Sequence, residues 1–212
     1  MYTIKEIYYT LQGEGRHTGR PAVFLRFSGC NLWTGREVDR DKAVCQFCDT
    51  DFVGTDGPMG GKFKDPLSLS EAIERVWVDA VATDQNRFVV CTGGEPLLQL
   101  DSEAIEALHQ KGFTVAVETN GTVKLPKGID WTCVSPKAHS ELLVTEGDEL
   151  KLVFPQVGFE PSQYEHLQFN HFSLQPMDGP DLAANTAKAI TYALQNPKWT
   201  LSIQTHKILG IE

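Results

Sequence analysis

Three of the five cysteines, Cys30, Cys45 and Cys48, fall within nineteen residues, and the last two form a Cys-Gln-Phe-Cys pair. Two intervening residues let neighbouring thiolates converge on one metal centre, and zinc and iron–sulfur sites both use that spacing. Fourteen residues separate Cys30 from Cys45. Structural zinc requires a fourth thiolate or imidazole. His17 and His139 could supply one, but neither stands at a regular spacing. Three thiolates alone suit a 4Fe–4S cluster with one iron left open to a small molecule. On the cysteines alone the two metals are evenly matched. Cys91 and Cys133 lie in Val-Val-Cys and Thr-Cys-Val and read as inert core thiols. An odd cysteine count without a secretion signal does not read as a disulfide framework.

A strand-like run over 87–92 leads straight into Gly93-Gly94-Glu95-Pro96. Paired glycines let a backbone approach a ligand and expose its N–H and C=O groups. Carbonyls with a carboxylate can then hold an ammonium group. Alone, this is also an ordinary strand-to-helix turn. Its weight comes from standing one strand end away from three thiolates.

The elements that must position these groups alternate. Apolar runs at 22–27, 87–92, 113–118, 131–135, 149–154, 171–175 and 199–204 read as strands. Helical stripes run over 70–82, 101–110 and 183–195, the first with its start at Ser70. A β-α-β-α-β order with short links favours a parallel sheet wrapped by helices. A complete eight-fold barrel takes about 250 residues, so this chain has room for about six strands and three to four helices. The expected fold is α/β, an incomplete, open βα barrel. It would form one domain over 1–212 with a cluster-binding loop at about 29–66. Chemistry in such sheets sits at the C-terminal strand ends. Residues 28–30, 92–95, 118–120, 135–137 and 175–178 are therefore expected on one rim.

Composition narrows the partners. The 212 residues carry 19 Lys plus Arg against 28 Asp plus Glu, a net charge of −9, and no basic run. That argues against a nucleic-acid groove or a polybasic membrane anchor. No stretch approaches the ~18 apolar residues of a membrane span. The first residues lack the apolar core of a signal peptide, so a cytoplasmic location is expected.

Cysteine triad and Gly-Gly-Glu-Pro turn together resemble the radical S-adenosylmethionine superfamily, and the aromatic Phe47 before the last cysteine fits. The long first gap departs from the common three-then-two spacing. That departure and several further segments resemble one subfamily, the 7-carboxy-7-deazaguanine synthases. The segments are Leu-Gln-Gly-Glu-Gly at 11–15, Phe-Leu-Arg-Phe-Ser-Gly-Cys-Asn-Leu at 24–32 and Cys-Asp-Thr-Asp-Phe at 48–52. Val-Glu-Thr-Asn-Gly at 117–121, Ser-Pro-Lys at 135–137, Gln-Pro-Met-Asp-Gly at 175–179 and Thr-His-Lys at 205–207 follow.

The resemblance implies a lyase of queuosine and deazapurine biosynthesis. 6-Carboxy-5,6,7,8-tetrahydropterin would become 7-carboxy-7-deazaguanine by radical ring contraction with loss of ammonia, and S-adenosylmethionine would be re-formed. Cys30, Cys45 and Cys48 would hold the 4Fe–4S cluster. Phe47, Gly94, Glu95, Glu118, Ser135, Pro136, Lys137, Gln175, Pro176, Met177 and Asp178 would contact S-adenosylmethionine, with Glu118 on the ribose. Thr50 would help hold Mg2+, while Asp49 and Asp51 read as a solvated loop.

Leu11, Gln12, Gly13, Glu14, Thr92 and His206 would contact the pterin. Arg26 shares a strand face with Phe24 and Ser28. Its fork suits the pterin carboxylate, or else a structural ion pair. A homodimer and an electron donor such as a flavodoxin are the family's expectation. The competing readings are a glycyl-radical activase, which should show the short cysteine spacing, and a zinc-binding protein, which leaves the glycine turn unexplained.

Overall fold

The N-terminal run folds as strand β1 (Tyr2–Leu11) and turns back antiparallel into β2 (Pro21–Phe27). This is seen in a computed structural model that describes residues 1–211; Glu212 lies outside the described residues. The chain continues through β3 (Gly61–Phe63), α1 (Pro66–Ala80), β4 (Phe88–Gly93), α2 (Ser102–Gln110), β5 (Thr114–Thr119) and β6 (Trp131–Val134). It ends with β7 (Glu146–Phe154), β8 (Gln168–Pro176), α3 (Leu182–Gln195), β9 (Trp199–Leu201) and α4 (Thr205–Leu209).

The strands form one nine-stranded sheet in the order β3-β1-β2-β4-β5-β6-β7-β8-β9. From β2 to β9 every neighbour is parallel, while β1 pairs antiparallel with both β2 and β3. The edges β3 and β9 do not pair, so the barrel is open, as expected, but with nine strands rather than about six.

The seven apolar runs correspond to β2 and β4 to β9, and the two strands beyond them, β1 and β3, have physical reasons for escaping notice. A register shift between Ile4 and Glu6 breaks the two-residue alternation of β1. Ile4 and Ile7, three apart, both end in the core. Strand β3 is only three residues long.

Helix α1 starts four residues earlier than Ser70. Asp65 caps it by accepting from the Ser68 N–H at 2.8 Å, and Pro66 occupies the first turn. Ser70 is buried inside the helix and donates to the Leu67 carbonyl.

Alternation sorts the strands into two faces. Leu25, Phe27, Val89, Cys91, Val115 and Val117 join the core under α1 and α2. Leu150, Leu152, Phe172 and Leu174 join the core with Ala189 of α3. The opposite, concave face carries Ala22, Phe88, Val90 and Ala116 low in the barrel. Two residues further along the same strands stand Thr92 and Glu118. The concave face is thus apolar at its base and polar at its rim.

Candidate active site

Two cavities of about 190 and 320 Å3 open at the C-terminal strand ends. The first is walled by Cys30, Cys45 and Cys48 together with Gly94, Ser135 and Gln175. The second is walled by Leu11, Gln12, Gly13, Phe24, Arg26 and His206. Glu14, Thr50, Thr92 and Glu118 line both, so the cavities share a wall.

The cysteine loop is clamped to the glycine turn by its backbone. Glu95 N–H donates to the Gly29 carbonyl at 3.0 Å, and Gly94 N–H to Phe27 at 3.3 Å. A side-chain carbon on Gly94 would stand 2.2 Å from the Gly29 oxygen and 2.7 Å from Cβ of Cys30. Gly93, with φ of +140°, would meet the Phe27 oxygen at 2.3 Å. Both positions therefore need glycine so that the turn can seat the first cysteine.

Glu95 is fully buried beneath the turn and lines neither cavity. Its carboxylate accepts from Leu97 N–H at 3.0 Å, Thr119 hydroxyl at 2.7 Å and Asn120 N–H at 2.8 Å. Burial raises its pKa, and these donors work against the rise. Pro136 and Met177 also stay out of both walls; every other residue named above as a site residue lines one or both. His17 is packed between Phe88 and Trp131 and His139 against Phe159, so neither imidazole lines the cysteine cavity.

The thiols differ in acidity. A hydrogen bond from Cys45 lowers Cys48 to about 6, and the same bond together with burial raises Cys45. Burial raises Cys30, partly offset by the Leu32 N–H, which approaches its Sγ at 3.4 Å. Lys137 stands on the same wall, its Nζ bonded to the Ser135 hydroxyl at 2.6 Å, and its charge favours the thiolates.

Three soft donors on one wall, a backbone N–H aimed at sulfur and a nearby ammonium fit an anionic iron–sulfur cluster. Among the described residues no group of three or more His, Cys, Asp or Glu could hold a metal ion as it stands.

Arg26 is both on the cavity wall and in an ion pair. Its Nε meets Glu6 at 2.6 Å and one Nη meets the Tyr8 hydroxyl at 2.8 Å. Register explains this, because Glu6 lies opposite Arg26 and Tyr8 opposite Phe24, whose rings stack at 5.5 Å. His206, on α4, packs against Gly13, where a side-chain carbon would lie 2.3 Å from its Nδ1. Thr205 anchors α4 by donating to the Gly13 carbonyl. Lys207 ties Asp49 of the cysteine loop to Asp178 beyond β8.

Sequence reasoning missed Lys151, buried on β7, which pairs with Glu14 at 2.7 Å and Glu118 at 2.9 Å. It also placed Cys133 in apolar surroundings. Cys133 is buried, but it lies opposite Glu118 and Glu149 in register, and burial and then Glu118 raise its thiol. The signal available was position: a lysine two residues from a glutamate on one face of a parallel strand.

No protein-family model matches the chain. Named relatives do. A 7-carboxy-7-deazaguanine synthase of Caulobacter vibrioides is 60% identical over 99% of both chains. One of Bradyrhizobium diazoefficiens is 59% identical over the same share, and one of Neisseria meningitidis 33% identical over 100% of this chain and 94% of its own. The chain belongs to the 7-carboxy-7-deazaguanine synthase family. The crystal structure of QueE from Escherichia coli matches the fold of this family member with a TM-score of 0.66 and 25% identity, over 97% of this chain and 94% of that one. The long cysteine gap and the glycine turn are thus features of a synthase-family chain.

Proposed function

We infer that this chain converts 6-carboxy-5,6,7,8-tetrahydropterin to 7-carboxy-7-deazaguanine and ammonia, as a radical S-adenosylmethionine enzyme acting in queuosine or another deazapurine pathway. The observation that carries this reading is the shared wall. A cavity faced by three thiols and the glycine turn adjoins one that offers a guanidinium, an amide and a carboxylate.

In this reading Cys30, Cys45 and Cys48 hold the cluster. Gly94, Ser135, Lys137, Gln175, Pro176 and Asp178 frame S-adenosylmethionine, with Phe47 against it and Glu118 on the ribose. Glu95, Pro136 and Met177 act from behind the wall: Glu95 fixes the turn, the Pro136 carbonyl accepts from Gln156, and the Met177 carbonyl accepts from Asn185. When bound, cluster and S-adenosylmethionine supply the electron and the hydrogen-abstracting radical, and Mg2+ beside Thr50 supplies charge for the substrate carboxylate.

The remaining roles are the chain's own. Arg26, oriented by Glu6 and Tyr8, reaches the pterin carboxylate with the rest of its fork. Gln12 and Glu14 meet the amide-like edge of the pterin, with Thr92 and His206 beside them and the Leu11 and Gly13 backbone closing that side. Glu14 remains an acceptor: burial alone would raise it, but Lys151 and Gln204 hold it down to about 2. Trp33 and Phe52, packed edge to face at 5.6 Å, cover the cysteine side and keep water out.

The single-domain organisation, the homodimer, a flavodoxin-like donor and a cytoplasmic location belong to the same proposal. Among the described residues no helix is long and apolar enough to cross a membrane. Anaerobic reconstitution with iron and sulfide, then dithionite, S-adenosylmethionine, Mg2+ and the tetrahydropterin, tests the reading by mass. A product of the mass of 7-carboxy-7-deazaguanine, with S-adenosylmethionine undiminished, is expected. A brown protein that cleaves S-adenosylmethionine without that product would refute the substrate.

A further inference from the structure

The wall between the cavities is held by one cation. Lys151 is 4% exposed, yet its ammonium touches carboxylates from two other elements. Glu14 comes from the β1–β2 connection and Glu118 from the end of β5, each meeting Nζ through its Oε2. The other oxygen of each carboxylate is held by an amide. Gln204 donates to Glu14 Oε1 at 2.9 Å, and Gln12 to Glu118 Oε1 at 3.2 Å. Two carboxylates that line both cavities are thus bound through one ammonium that lines only the cysteine cavity.

We propose that Lys151 is the positioning residue that couples the two binding cavities, fixing one carboxylate toward the pterin and the other toward the S-adenosylmethionine ribose. The proposal rests on the ligand assignment given above. It follows from elementary electrostatics. Two carboxylates bound to one ammonium stand close together, and without it they repel in a water-poor wall. One must take up a proton or swing away, and either change alters an acceptor that a ligand needs.

The groups facing this ammonium set the pH behaviour. Glu118, Glu14, Cys133 and Glu149 all favour the charged form of Lys151 and outweigh the effect of its burial. Glu149 is itself turned to Ser173 at 2.6 Å and to the Arg16 N–H at 3.0 Å. His206 is the further titratable group facing Glu14. In the parent protein Lys151 and Gln204 hold Glu14 down to about 2, whereas burial raises Glu118 and Lys151 works against that rise. In Lys151→Met the loss should be greatest at high pH, where both carboxylates seek to ionise, and should shrink as one is protonated.

The test is equilibrium binding to the anaerobically reconstituted protein between pH 6 and pH 8.5. The probes are S-adenosylmethionine and 6-carboxypterin, the latter a redox-inert stand-in for the substrate. Lys151→Met should weaken both at pH 8.5 by on the order of tenfold, as loss of a charge-assisted contact implies. The deficit should narrow toward pH 6, and Lys151→Arg should recover most of it. Affinities within twofold of the parent for both ligands would overturn the coupling, as would a loss that neither varies with pH nor responds to Arg.

If Lys151→Met does not fold, Glu14→Gln and Glu14→Gln/Lys151→Met are compared for S-adenosylmethionine alone. The double variant should bind within about threefold of Glu14→Gln, because Glu118 alone has no like charge to repel, and a loss of about tenfold in that background would overturn the proposal. A parent protein that binds neither probe would instead refute the ligand assignment, and the coupling with it.

Discussion

The cysteine loop and the concave strand face meet at the same rim but are built in opposite ways. The loop, 28–60, closes on itself over three buried side chains, Trp33, Cys45 and Phe52, and is tied to β1 through Lys5, which meets Asp51 at 2.7 Å and Asp56 at 2.8 Å. Arg40 donates to the Gln46 and Cys48 carbonyls and lies 4.1 Å over the Trp33 ring. The strand face is held by buried charge, with Lys151, Glu118 and Glu149 each fixed by partners from distant parts of the chain. The loop brings reactive groups that the fold can do without. The strand face brings groups that the fold must neutralise before they can be used.

That contrast fixes the order of expected effects. Cys45→Ala should abolish turnover and cluster retention while leaving the melting temperature within a few degrees, because the loop lies outside the main strand–helix cores. Iron content beside a thermal melt checks both halves. Lys151→Met should instead lower stability by about 3 kcal/mol, the scale for removing one partner of a buried ion pair. Urea unfolding measures it.

Arg26→Ala should weaken 6-carboxypterin binding by about tenfold, with reductive cleavage of S-adenosylmethionine retained. Equal pterin affinity would leave Arg26 as merely the partner of Glu6.

The strand face should also sense acid. Lys151 holds Glu14 at about 2, below the ordinary 4.5 of a glutamate. Its contribution to stability is therefore complete above about 4.5 and lost as pH falls through about 2. Glu14→Gln should show a shallower loss over that window in pH-dependent unfolding. The smallest effect belongs to the loop: Arg40→Ala should release iron to a chelator a few-fold faster, with no change in the melt.

The same contrast decides what could be read from sequence. Loop chemistry is written in spacing, so Cys45 and Cys48 announce a metal centre from two letters and a gap of two. The Gly93-Gly94 turn was equally visible, although its glycines are required by contact with Phe27 and Gly29 as much as by any ligand. Lys151 was not visible, because a lysine in Glu-Leu-Lys-Leu-Val-Phe reads as the polar half of an alternating strand. Only the approach of β5 and the β1–β2 connection turns it into the centre of an ion triad.

Strand β1 hid behind its bulge for a related reason, since local irregularity removes the period on which the reading depends. Helix α1 was misplaced because its cap, Asp65, sits at the end of a glycine- and lysine-rich stretch that reads as loop.

The central claim is that two adjoining cavities serve two ligands at once. Reconstituted protein saturated with S-adenosylmethionine, without reductant, should be titrated anaerobically with 6-carboxypterin while both ligands are counted. One equivalent of each bound per chain is the expected result. Displacement of one ligand by the other would mean that the two cavities are a single site, and would contradict the account.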